Sequence, residues 1–99
     1  QSIWYLLITF KNLTVDTDRK TCYIEDKEIL LTKTEYNLLL FLVSNKNKIL
    51  TRKELAKSVW DVPVSDRAVD TTVSRLRKKL KGLGRNLTTR VGFGYGLLE

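Results

Sequence analysis

Residues 66–81 constrain this chain more than any other stretch: Asp-Arg-Ala-Val-Asp-Thr-Thr-Val-Ser-Arg-Leu-Arg-Lys-Lys-Leu-Lys. Val69, Val73, Leu76 and Leu80 fall at i, i+4, i+7 and i+11, which is one apolar stripe of an α-helix. Thr71, Thr72, Ser74, Arg75 and Lys78 lie on the other side. A helix that docks on a core through one face and offers Thr, Ser and Arg on the other fits a DNA major groove. Arg can fork onto guanine, small hydroxyl residues let the backbone come close, and flanking cations meet phosphates. Taken alone, the helix is explained about equally well by an ordinary solvated basic face. The rest of the chain separates the two.

The net charge is +7, and its placement matters more than its size. Residues 1–51 carry seven Lys/Arg against six Asp/Glu, whereas residues 52–90 carry eleven against four. The basic half is therefore the half holding the striped helix, and so uneven a field suggests a polyanion partner. A membrane surface is the weaker choice, because a narrow apolar stripe without Trp or Phe suits packing onto protein rather than lipid. No apolar run approaches a membrane span. Residues 1–8 are apolar but lack a charged leading segment and a small-residue cleavage site, so a cytoplasmic setting is expected. A start at Gln1 rather than Met is compatible with a piece of a longer protein.

Ninety-nine residues suffice for one domain with a modest core. The single Cys22 excludes a disulfide framework and a Cys-based zinc site, and it is expected to behave as a small apolar residue. Histidine is absent, which removes the commonest general base and transition-metal ligand. No cofactor, metal or catalytic residue is expected.

Along the chain, residues 6–10, 13–15, 21–24 and 28–31 read as short strands. Lys11-Asn12, residues 16–19 and Glu25-Asp26-Lys27 separate them as turns. Thr32-Lys-Thr-Glu35 and Thr51-Arg-Lys-Glu54 are both capping boxes: the Thr hydroxyl accepts from the third helical N–H and the Glu reaches back to the cap N–H. The first opens a Leu-rich core helix over residues 33–44. The second opens a short helix over residues 52–60, with Leu55, Ala56 and Val59 inward and Asp61-Val-Pro63 stopping it. Ser65 or Asp66 then caps the third helix, and Gly82 or Gly84 is expected to end it in the left-handed region. Residues 87–98 read as strand, Gly-rich turn and strand. The fold class is α+β, in the order sheet, three helices, hairpin.

Helix two, a short Pro-containing connection and the basic third helix make a helix-turn-helix arrangement, and the hairpin behind it makes a wing. A wing can lay its tip along the DNA backbone and place a cation in the minor groove. Gly92-Phe-Gly-Tyr-Gly96 lacks the spacing of a phosphate-cradling loop; its glycines suit a tight hairpin, with Tyr95 packing on the third helix. Asp66 and Asp70 suit a helix N-terminus and pairing with Arg67 or Ser74 better than a metal. Trp60 reads as a core anchor. Among Lys78, Lys79 and Lys81, at least one is expected to touch phosphate.

At these residues the chain resembles a known family. Leu31-Thr-Lys-Thr-Glu-Tyr-Asn-Leu-Leu39, Thr51-Arg-Lys-Glu-Leu55, Val59-Trp60, the segment from Asp66 to Leu80 and Gly92-Phe-Gly-Tyr95 are similar to the OmpR/PhoB winged-helix output domains of bacterial two-component response regulators. The resemblance covers essentially the whole chain. It implies an N-terminal four-stranded antiparallel sheet, three helices and a C-terminal β-hairpin wing over residues 88–98 (Arg90, Val91, Gly92, Phe93 and Gly94 at its turn). It implies sequence-specific binding of double-stranded promoter DNA at direct-repeat half-sites, usually by two domains. It places Thr71, Thr72 and Arg75 on bases, and Arg67, Ser74, Arg77 and Lys78 on phosphates. It also implies a receiver domain preceding residue 1.

Two positions depart from the family pattern. Relatives usually carry Arg immediately before the first wing glycine; here that residue is Val91, and Arg90 stands one residue earlier. A one-residue shift along a strand turns a side chain to the opposite face, so either the wing register slips or minor-groove insertion by this Arg is weakened. The connection over residues 61–65 is also shorter than is common. In the family this loop can contact RNA polymerase, which puts activation by that route in question and leaves repression equally open. The competing reading is a protein-interaction or dimerisation module on the same frame, with affinity carried by apolar surface such as Trp4, Tyr5, Leu6 and Leu7.

Overall fold

The computed structural model describes residues 7–99. Residues 1–6, with Trp4, Tyr5 and Leu6 of the apolar N-terminal segment, lie outside them. Four strands, β1 (Leu7–Phe10), β2 (Leu13–Asp16), β3 (Thr21–Ile24) and β4 (Lys27–Ile29), form an antiparallel meander in chain order. Period-2 alternation turns Leu13 and Val15 inward, and Phe10 and Cys22 join them in the core. Glu25 and Asp26 both take positive φ (47° and 68°), the backbone of a two-residue hairpin turn that matches strand twist. That turn sets Lys27 opposite Ile24 and Ile29 opposite Cys22. β4 therefore starts one residue earlier than the sequence suggests and ends before Leu30, which is exposed. Cys22 is buried, its thiol pushed up to about 11 by burial and then by Glu28, as befits an inert core residue.

Both capping boxes form. Thr32 caps α1 (Lys33–Ser44) and Thr51 caps α2 (Arg52–Val59), each with its Glu returning to the cap N–H. Leu38, Leu39 and Leu42 of α1 are fully buried and share one core with Leu55 of α2. Trp60 ends α2 in an extended conformation ahead of Pro63 and packs against the core. Ser65 caps α3 (Asp66–Lys79), its hydroxyl accepting from the Ala68 N–H at 3.1 Å. Val69, Val73, Leu76 and Leu80 are all essentially buried, so the apolar stripe is the docking face.

The C-terminal end of α3 differs from expectation. The helix stops at Lys79, Leu80 caps it, and Lys81 takes the left-handed φ (53°) expected of a glycine. A 3-10 helix over Lys81–Asn86 follows, and it requires Gly84 for closeness rather than for φ: a Cβ there would collide with the Arg77 carbonyl. β5 (Leu87–Arg90) and β6 (Gly94–Leu97) then pair as the hairpin. Leu50, between α1 and α2, exchanges backbone hydrogen bonds with Tyr95 at 2.7 and 2.9 Å, adding a short third edge. Among the described residues no helix is long and apolar enough to cross a membrane.

Candidate nucleic-acid interface

The outer face of α3 is built by the same periodicity that buries its inner face. Arg67, Thr71, Ser74 and Lys78 recur at i, i+4, i+7 and i+11, with Arg75 beside them, and all five are exposed. Among the described residues their side chains meet no hydrogen-bond or ion-pair partner. A stripe of three cations and two hydroxyls is thus left open, with its donors unspent. Thr72 differs: it is half-buried, and its hydroxyl donates to the Ala68 carbonyl at 2.9 Å. Its proton is committed to its own helix, which leaves only the oxygen's acceptor lone pairs and a methyl group for any partner.

Two neighbouring cations are turned inward. Arg77 Nε and Nη2 both donate to the Leu87 carbonyl, at 3.0 and 2.8 Å, and Nη2 also donates to Thr89 Oγ1 at 2.8 Å. The planar fork suits this double contact, and it ties α3 to β5. Lys79 Nζ lies 2.6 Å from Glu35 Oε1 in an ion pair whose carboxylate is buried. Glu35 also closes the α1 capping box, accepting from the Thr32 N–H at 2.9 Å. Burial pushes the Glu35 carboxyl up, but the hydrogen bonds from Lys79 and Thr32 and the lysine's charge outweigh it and hold it below the usual range. Arg77 and Lys79 are therefore braces, and Lys78 between them projects outward.

Asp70 pairs with neither Arg67 nor Ser74. Its carboxylate accepts from Arg52 Nε of α2 at 2.8 Å and from the Tyr95 hydroxyl of β6 at 2.6 Å. The Arg52 guanidinium lies 6.0 Å from the Tyr95 ring centroid, within cation–π range. The hydrogen bonds from Arg52 and then Tyr95 hold Asp70 below the usual carboxylate range. Burial, followed by the bond to Asp70, raises the Tyr95 phenol. One carboxylate thus joins both helices of the helix-turn-helix to the wing. The sequence reading sets Tyr95 against the third helix, but not Asp70 or Arg52 as its partners, because the three residues stand far apart in the chain. The signals available are a Tyr set just after the wing turn and, for the Lys79 pair, a Glu at the third position of the Leu-rich α1.

The wing is a regular two-stranded hairpin. Arg90 ends β5 opposite Gly94, and the Phe93 N–H donates to the Arg90 carbonyl at 2.9 Å, closing a four-residue turn. Gly92 sits at its third position with φ 83°, where a side chain would be strained. Val91 and Phe93 are exposed at the tip, and Arg90 is exposed at its base. In this pairing Val91, the residue before Gly92, stands at the exposed tip and Arg90 at the end of β5.

Residues 26–97 match the family described as "Transcriptional regulatory protein, C terminal". The transcriptional regulatory protein VxrB of Vibrio cholerae is 41% identical over 90 residues, covering 89% of this chain and 36% of that protein. The DNA-binding domain of the response regulator AdeR, solved in complex with an intercistronic region, superposes with a TM-score of 0.84 at 36% identity, covering 93% of this chain and 98% of that one. DrrB of Thermotoga maritima, an OmpR/PhoB homologue, gives a TM-score of 0.85 at 36% identity over 95% of this chain and 45% of that one. The chain spans 36–42% of the length of the curated relatives it matches. The family is one of transcription regulators, not enzymes. With sheet, three helices and wing in this order and these matches across them, the chain belongs to the C-terminal output domains of OmpR/PhoB-family response regulators.

Proposed function

We propose that this chain binds double-stranded promoter DNA in a sequence-specific way, with α3 in the major groove and the wing near the minor groove. The observation that carries this reading is the open stripe of Arg67, Thr71, Ser74, Arg75 and Lys78, without hydrogen-bond or ion-pair partners among the described residues, on a helix braced from both sides. Arg75 and Thr71 read base edges, and Thr72 contributes its acceptor oxygen and methyl group. Arg67, Ser74 and Lys78 meet phosphates. Arg77 holds the wing, so its share in phosphate binding is small. That the similar AdeR DNA-binding domain was solved in complex with an intercistronic region supports DNA binding here.

In the whole protein, a receiver domain precedes residue 1, two copies occupy direct-repeat half-sites as a homodimer, and the setting is cytoplasmic. The short loop over residues 61–65 makes RNA polymerase contact a minor route. Selection of the chain against a random duplex library at near-physiological salt tests the reading. Enrichment of one motif, repeated about 10–11 bp apart, supports it; binding without enrichment reduces the chain to backbone attraction, and no binding contradicts it.

A further inference from the structure

We infer that the wing tip engages the minor groove by apolar insertion, with Phe93 as a wedge and Val91 beside it; this rests on the DNA-binding reading above. Within the hairpin, Leu87, Tyr95 and Leu97 are buried, whereas Val91 and Phe93 are 87% and 71% exposed. Phe93 is the one exposed large aromatic among the described residues. Its position is set by backbone: Gly92 supplies the left-handed φ of the turn, and the Phe93 N–H closes it on Arg90. The base of the tip is fixed as well. A Cβ at Gly94 would collide with the Leu50 carbonyl, and Tyr95 is paired on both backbone groups with Leu50.

Both strands of the hairpin are tied to α3, β5 through Arg77 and β6 through Tyr95 and Asp70. When α3 sits in a major groove, the tip is therefore carried to the same duplex at a fixed offset. Two side chains offer far too little area for a stable protein contact, which needs about 800 Å² per partner. One aromatic side chain is enough to part a base step, and pyrimidine–purine steps part most easily. Arg90, exposed at the base of the same turn, lies ready for the flanking phosphate. The uncharged tip makes this contact one of shape and stacking rather than of charge.

The test uses the duplex enriched by the 99-residue chain, with 2-aminopurine placed at each flanking step in turn. The wild-type chain is expected to raise fluorescence at one step. Phe93→Ala abolishes that rise and weakens binding at least about fivefold, with an unchanged salt slope and unchanged preference at the bases facing α3. Phe93→Leu restores part of both. Thermal unfolding of Phe93→Ala stays at the wild-type midpoint, as expected for an exposed side chain. Undiminished affinity with no change in fluorescence overturns the wedge, as does a loss confined to self-association in sedimentation. If the wild-type chain binds no duplex, the DNA-binding reading fails with it, so the two failures are told apart.

Discussion

The Tyr95 hydroxyl donates to Asp70 Oδ1 across 2.6 Å, and this one bond couples the wing to the helix it flanks. Arg52 approaches the same carboxylate at 2.8 Å from the preceding helix. The geometry of a helix-turn-helix with a wing thus depends on a partly buried Asp. Tyr95→Phe should lower unfolding free energy by about 1 kcal/mol. In a double-mutant cycle with Asp70→Ala, the coupling should fall at roughly 0.5–3 kcal/mol. Denaturant unfolding of the four proteins measures it, and simple additivity would mean the bond is incidental.

Lys78 and Lys79 are adjacent and should behave in opposite ways. Lys78→Ala should weaken binding to all duplexes alike and lower the salt slope by about one, with little effect on stability. Lys79→Ala should leave the slope unchanged and cost roughly 2 kcal/mol of stability, less than the full penalty of a broken buried pair because Glu35 keeps its bond to Thr32. Salt titrations and thermal unfolding of both variants decide the matter. Equal slope changes would place both lysines on phosphate.

Arg77 is expected to act on the wing. Arg77→Lys keeps the charge but loses the fork onto the Leu87 carbonyl and Thr89. Hydrogen exchange of the amides from residue 87 to residue 97 should speed up in this variant, and its salt slope should stay close to wild type. A slope reduced as far as that of Lys78→Ala, with unchanged exchange, would make Arg77 a phosphate contact instead.

Acid should unfold the domain through Glu35 and Asp70. Both carboxyls are held below their usual range in the folded chain, so the folded state binds fewer protons than the unfolded one. Their stabilisation is complete above the unfolded carboxylate values and fades as pH falls through the lower folded ones. Thermal midpoints should vary little with these groups near neutrality and drop below about pH 4. Glu35→Gln should be less stable than wild type at neutral pH and show a shallower drop in acid. An equally steep drop would assign the acid transition to other groups.

Much of this architecture is legible along the chain because its causes are local. Thr32 with Glu35 and Thr51 with Glu54 announce two helix starts by chemistry three residues apart, and both boxes form. The stripe of Val69, Val73, Leu76 and Leu80 assigns the inner face of α3, and by subtraction its outer one. What sequence does not reveal is tertiary. Nothing local distinguishes Lys79, paired with a residue on α1, from Lys78, which projects outward. Arg77 resembles any other basic residue until the wing folds against it. The end of α3 misleads for a related reason: the left-handed turn falls on Lys81, and Gly84 is required only because the chain passes close to Arg77.

The most direct measurement is the affinity of Arg75→Ala for the selected duplex and for a scrambled one. If the outer face of α3 reads bases, the substitution costs roughly 1–3 kcal/mol on the selected duplex and much less on the scrambled one. Equal losses on both duplexes would contradict base reading by Arg75 and leave α3 with phosphate contacts alone.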